Sequence, residues 1–358
     1  MPDAEKRKTR PTIQAIAEEA GVSRATVSLI LANRPEVIRR FRPETVDRVR
    51  RIAEEQGYAA NLMAISLRSG HPTFYGLILR GRGDARTQPS SWHVQALEGQ
   101  FLAGAMEASR VLDLYPVLAS LDSPEPEAAV QRVRGVLDGG VFGAILRTPP
   151  TVLDEPMRRQ IELGLPVVIV FPEHPTTCPS NAIDVNNLEV GQIAARLLRD
   201  AGRRKWVIVS DDFFWEPIRL RKEGALSVAR EAGVEVELLE IPLDVGERGA
   251  MAWLTPRLRN MRPDGIYAAS SVASVGALHA GLDAGFRIPQ EVCLVGCDAS
   301  FWRAPGWQAI TSVDVSWYEA GELAVRKMVE LQSRAEFRFE NLILPPMVRT
   351  GGTCPVNG

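Results

Sequence analysis

Histidine and cysteine are scarce in this chain, with four of each among 358 residues. That leaves little material for a metal centre or a nucleophilic site. His71, His93, His174 and His279 stand in no HExxH pattern, and neither a GxSxG elbow nor a Walker loop occurs. Gly81 and Gly83 follow a strand-like run, but the third glycine of a dinucleotide fingerprint is absent. Cys178, Cys293, Cys297 and Cys354 lack the spacing of a zinc site or a disulfide framework. Cys293 and Cys297 alternate with apolar residues and read as buried thiols in a reducing cytoplasm. No apolar run approaches the length of a membrane span, and the N-terminal MPDAEKRKTRP lacks the apolar core of a secretory signal. These absences predict a cytoplasmic protein that is not an enzyme, with no catalytic residues, no metal, no cofactor and no membrane partner.

Charge is nearly balanced at -2, but unevenly spread. Residues 1–71 hold 13 Lys/Arg against 9 Asp/Glu, and the remainder 29 against 35. A basic end on an acidic body suits phosphate attraction confined to that end. The basic end also carries the clearest local pattern. Ile13, Ile16, Ala17 and Ala20 recur at helical spacing, and Gly21 falls where a chain leaves a helix at positive φ. Ser23 suits an N-cap for a second helix, whose buried face is Val27, Ile30 and Leu31 with Val22 before it. Arg24, Ala25, Thr26 and Ser28 then point outward at the start of that helix. This is a helix-turn-helix pattern, whose second helix enters the major groove by its N-terminal end. A third helix from about Pro43 to Gln56 presents Val46, Val49, Ile52 and Ala53 inward, and Tyr58 is placed beneath the three.

The string AxxAGVSRATVSxxL, continued by Glu44-Thr45-Val46, Arg48-Val49, Gly57-Tyr58, Asn61 and Leu67-Arg68-Ser69-Gly70, resembles the DNA-binding headpiece of the lactose-repressor/galactose-repressor (LacI/GalR) family. The resemblance implies a headpiece at 1–60, a hinge helix at 61–71 and a core at 72–354. It further implies that Leu67 wedges into the minor groove at the operator centre; the alternative is a buried linker residue. DNA contacts are expected from Thr12, Ser23, Arg24, Ala25, Thr26, Ser28, Asn33, Arg39, Arg40, Asn61 and Leu67. Leu29 and Ala32 depart from the family, which places polar residues there. The connection RPEVIRRFR (34–42) is about four residues longer than usual, and is expected to be a loop whose arginines add phosphate contacts.

From Thr73 the texture changes to strands alternating with helices. Strands are expected at 74–79, 114–120, 142–147, 166–171, 205–210, 236–241, 265–270 and 291–298. Helices are expected at 92–112, 128–137, up to 161, and from about 221 to 232. Apolar strands separated by helices argue for parallel sheets covered on both faces. The fold expected is an all-α helix-turn-helix headpiece plus an α/β type I periplasmic-binding-protein-like core of two parallel-sheet lobes. Lobe one is placed at about 72–175 and 305–333, and lobe two at about 176–304 and 334–354. By the resemblance, a small-molecule effector, a sugar or related metabolite, sits between the lobes. Its expected contacts are Arg221 (in RxxG), Asp298 (in VGCD), Ser270, Trp317, Trp215 and Trp92, each tryptophan having a core position as its alternative reading. Ser270-Ser271 and Ala299 replace residues that are usually polar amide or acidic, so the cleft should be less acidic than in sugar-responsive members. The function implied is that of an operator-binding regulator, a repressor, acting on near-palindromic double-stranded DNA. The assembly implied is a homodimer, with a tetramer as the alternative.

Overall fold

The computed structural model describes residues 11–31, 35–58, 73–79, 92–120, 126–147, 154–172, 181–211, 216–242, 246–299, 309–333 and 340–356. It divides into two units, Met1–Phe74 and Tyr75–Gly358. In the first, helices α1 (Ile13–Ala20), α2 (Arg24–Leu31), α3 (Pro35–Ile38) and α4 (Pro43–Glu55) enclose Ile16, Ala17, Ala20, Val27, Ile30, Val46, Val49, Ile52 and Ala53. Ile38, Phe41 and Tyr58 pack against this core. Gly21 ends α1 at φ 65°, and Val22 N–H closes back on Ala17 O at 3.1 Å. That geometry leaves a Cβ strained, which is why glycine stands there. The 34–42 connection is not a plain loop. Residues 35–38 form a helical turn, because Ile38 and Phe41 anchor it to the apolar core.

The second unit holds two six-stranded sheets with the same strand plan. Sheet one contains β1 (Phe74–Leu79), β2 (Tyr115–Ser120), β3 (Ala144–Arg147), β4 (Val167–Val170), β5 (Asn181–Val185) and β11 (Asn341–Leu344), in the order β11-β5-β4-β3-β1-β2. Sheet two contains β6 (Lys205–Asp211), β7 (Glu235–Ile241), β8 (Gly265–Ala268), β9 (Cys293–Cys297), β10 (Thr311–Asp314) and β12 (Met347–Arg349), in the order β12-β10-β9-β8-β6-β7. Pairing is parallel from β1 through β11 and from β7 through β10, and β12 runs antiparallel to β10. Each sheet therefore reverses order between its first and third strands, the place where open parallel sheets bind ligands at their carboxyl ends.

Helices α5 (Trp92–Leu112), α6 (Pro126–Leu137), α7 (Asp154–Glu162), α8 (Asn187–Asp200), α9 (Glu216–Glu231), α10 (Gly246–Met261), α11 (Ser271–Asp283) and α12 (Trp317–Ser333) cover the sheets. In each lobe one helix pair crosses through reciprocal glycines. A Cβ on Gly104 of α5 would stand 1.9 Å from Tyr318 O of α12, and one on Gly321 2.1 Å from Phe101 O. In the second lobe, Gly191 of α8 and Gly224 of α9 would meet Arg221 O and Leu188 O at 1.9 and 2.0 Å. Only glycine admits such approach.

The lobe limits expected from sequence need correction at three strands. Residues 181–185 belong to the first sheet, through pairing with β4, and 341–344 join the same sheet beside β5. Residues 311–314 belong to the second sheet, and only the helix after them lies on the first lobe. The stretch 341–349 is two strands in different sheets, divided by Pro345-Pro346, whose rings cannot donate to a ladder. Apolar patterning identifies a strand but carries no label for the sheet it joins.

Candidate DNA-reading face and effector cleft

Thr12 caps α1, its Oγ1 accepting Ala15 N–H at 3.2 Å. Ser23 does the same for α2, accepting Thr26 N–H at 3.1 Å and sharing a 2.9 Å hydrogen bond with the Thr26 hydroxyl. The two hydroxyls are thus already used in part to fix the helix start. Ser23, Arg24 and Ala25 are exposed there, Thr26 and Ser28 are half-buried, and Leu29 is 45% exposed one turn on. The outward face of α2 therefore joins one arginine, a methyl and a leucine. Such a surface suits a guanine edge and thymine methyls. Arg39 and Arg40 are exposed after α3. Asn33, Asn61 and Leu67 lie outside the described residues.

In the core, side chains from both lobes meet at the strands' carboxyl ends. Arg221, on α9, is buried and forked: Nε donates to Asn187 Oδ1 at 2.9 Å, Nη1 to Ala269 O at 3.1 Å and Nη2 to Asp298 Oδ2 at 3.4 Å. Asp298 follows β9 at φ 50°, a left-handed conformation costly to a non-glycine residue and held here by its contacts. Its Oδ1 accepts Val315 N–H at 2.9 Å and the Trp317 indole N–H at 3.1 Å. Trp317 opens α12 on the first lobe and so spans the two. Its ring meets Phe171 edge-on at 4.9 Å, and the Arg147 guanidinium lies 4.5 Å over it. Arg147 ends β3 and pairs with Glu98 of α5 at 3.3 Å. Phe171 follows β4 at φ 49°, the first-lobe counterpart of the Asp298 position. Ser270 caps α11, its hydroxyl accepting Ala273 N–H at 3.0 Å.

The structure thus brings Arg221, Asp298 and Trp317 into one network and sets Ser270 beside it, next to the Ala269 carbonyl. Trp215 lies outside the described residues; Trp92 begins α5, and its side chain is likewise not described. Sequence reasoning missed Arg147, Glu98, Phe171 and Asp184, all contributed by the first lobe. Asp184, near the end of β5, has its carboxyl raised to about 6 by burial, with Val185 N–H, Arg221 and Arg147 opposing the shift. Of the three carboxylates that interact with Arg147 or Arg221, Glu98 and Asp184 therefore come from the first lobe and Asp298 from the second. The available signal was position alone, since each residue ends a strand or faces one.

Known proteins agree with this geometry. Residues 12–61 match the model of bacterial regulatory proteins of the lacI family, and residues 182–354 match that of a periplasmic binding protein-like domain. The chain carries a DNA-binding domain of the lacI family followed by a periplasmic binding protein-like domain. Among its relatives are the HTH-type transcriptional regulator RegA of Clostridium saccharobutylicum and the ribose operon repressor of Escherichia coli. RegA is 26% identical over 93% of this chain and 96% of the relative, and the ribose repressor 24% over 96% and 99%. The fold is that of the lac repressor dimer bound to operator and an anti-inducer, with TM-score 0.76, 18% identity and coverage of 96% of this chain and 99% of that one. A CelR–cellobiose complex matches with TM-score 0.59 and 22% identity, over 96% and all of its chain. The chain is a DNA-binding transcriptional regulator. Among the described residues no helix is long and apolar enough to cross a membrane, and no cluster of metal-ligating groups occurs.

Proposed function

We propose that the chain is a cytoplasmic homodimeric repressor whose grip on a near-palindromic operator is set by a sugar or related metabolite bound between the core lobes. The observation that carries the effector half is the buried Arg221 fork joined through Asp298 to Trp317 and Arg147 of the facing lobe. Arg221 spends three donors on Asn187, Ala269 and Asp298, leaving part of a planar fork for ligand hydroxyls or a carboxylate. Asp184 offers acceptors, and the Trp317–Phe171 pair an apolar wall for the CH faces of a ring. A ligand here touches both lobes, so it favours one relative orientation and biases the hinge at 61–71. That relatives include a ribose repressor and a cellobiose complex supports the sugar reading. For DNA, Arg24 pairs with guanine, Ala25 and Leu29 meet thymine methyls, and Leu67 wedges the minor groove. Arg39 and Arg40 contact phosphates.

A thermal-shift screen of sugars, sugar acids, nucleosides and glycosides tests the cleft, with Arg221→Ala and the milder Arg221→Lys as controls. A compound from one class should raise Tm in the parent and lose most of that effect in both variants. A shift that survives both substitutions, or none in any class, contradicts the assignment.

A further inference from the structure

The amino-end edge of the second sheet, opposite the cleft, holds two neighbouring cysteines. Cys293 opens β9, and Cys354 follows β12; both are buried and free of disulfides. Thr353 fixes their approach. It accepts Leu294 N–H at 2.9 Å through its carbonyl and donates its hydroxyl to Leu294 O at 2.7 Å. Each thiol also reaches a backbone carbonyl, Cys293 Sγ that of Pro289 at 3.8 Å and Cys354 Sγ that of Pro355 at 3.7 Å. Arg203 stands beside Cys293, its guanidinium held by Pro289 O at 2.9 Å and Glu291 O at 3.1 Å. Asp264 is the carboxylate in range, and its oxygens are occupied by the backbone N–H groups of Arg204 and Lys205 at 2.8–3.0 Å. Pro355, which follows Cys354, and Glu291, two residues before Cys293, are exposed.

We propose that Cys293 and Cys354 are a redox-active pair that closes to an intramolecular disulfide under peroxide-class oxidants. The neighbouring Cys354 thiol and then Arg203 hold the Cys293 thiol down at about 6 against its burial, while Cys293 and burial push the Cys354 thiol up. With the Arg203 guanidinium anchored beside it, Cys293 is assigned as the attacking thiolate and Cys354 as the resolving thiol. Cys293 sulfur takes the distal oxygen of hydrogen peroxide, the O–O bond breaks, and hydroxide leaves. Cys354 sulfur then displaces the sulfenic hydroxyl, forming S–S, and its proton departs in water. The net change is two thiols and one peroxide to one disulfide and two waters, reversed by a dithiol. The chain between these cysteines leaves sheet two after β10, lays α12 with Trp317 on the first lobe, adds β11 there and returns as β12. Oxidation ties the two ends of that excursion together.

The test is peroxide treatment of the native full-length protein, alkylation of remaining thiols, and mass analysis of intact chain and non-reduced peptides. The expected result is loss of two hydrogens and a peptide joining Cys293 to Cys354, restored by dithiothreitol. The joined peptide should vanish in Cys293→Ser and Cys354→Ser and persist in Cys178→Ser and Cys297→Ser. Full alkylation of both thiols after peroxide overturns the proposal. So does linkage to another cysteine, or a disulfide that forms only in urea.

Discussion

Asp184 illustrates how a residue without a motif becomes consequential once folded. Its carboxyl is raised to about 6, first by burial. The folded state therefore holds the proton more tightly than the unfolded chain does. The stability this contributes is fully present below about pH 4 and is lost as pH rises through about 6. Asp184→Asn should accordingly exceed the parent in stability above pH 7, by about 1–2 kcal/mol after allowance for solvent screening. The gap should close below about pH 4. Urea melts of both proteins across that range measure it, and a gap independent of pH would assign the effect to packing. Trp317 makes a second residue-scale case. Trp317→Phe keeps the ring against Phe171 and Arg147 but removes the indole donor to Asp298. Ligand affinity in the cleft should fall about 5- to 20-fold, read by calorimetry with the compound found by thermal shift. An unchanged affinity would confine Trp317 to a core role.

At the scale of elements, the reciprocal glycines set the distance between helices. Gly104→Ala or Gly224→Ala forces a Cβ onto a backbone oxygen, which no side-chain rotation relieves. Each should cost about 3 kcal/mol or more in denaturant melts, whereas Gly99→Ala, with open space around it, should cost nothing measurable. The turn that follows helix α3 holds two exposed arginines. Replacing Arg39 and Arg40 by glutamine should flatten the salt dependence of operator binding by about one to two units, and an unchanged slope would place both arginines in solvent. Most of these elements were legible before the structure. Residues 74–79 and 92–112 follow their apolar patterns to the residue. The helices α10 and α11 were not read, for opposite reasons. Pro256 interrupts α10 as a breaker would, and α11 buries small residues around most of its circumference, leaving no polar face to reveal the period. The helical turn at 35–38 was hidden because its apolar residues make sense only against a core made elsewhere in the chain. The cleft was half legible: Arg221, Asp298 and Trp317 carry family positions, whereas Arg147, Glu98 and Asp184 depend on which strands end beside one another.

The whole molecule comprises a four-helix reader and a core built twice on one strand plan. The repeated plan places a strained residue at equivalent strand ends, Phe171 in one lobe and Asp298 in the other, and Trp317 touches both. A ligand at that junction acts on both lobes at once, which is what control of DNA affinity by a small molecule requires. The measurement that bears on this most directly is an anisotropy titration of a duplex selected from a random pool by the protein itself. It is run at fixed salt with and without the cleft compound, for the parent and for Arg221→Lys. The account predicts that the compound changes operator affinity at least about fivefold in the parent and leaves the variant's affinity unchanged. An equal change in both proteins, or an operator affinity indifferent to a compound that binds the core, would contradict it.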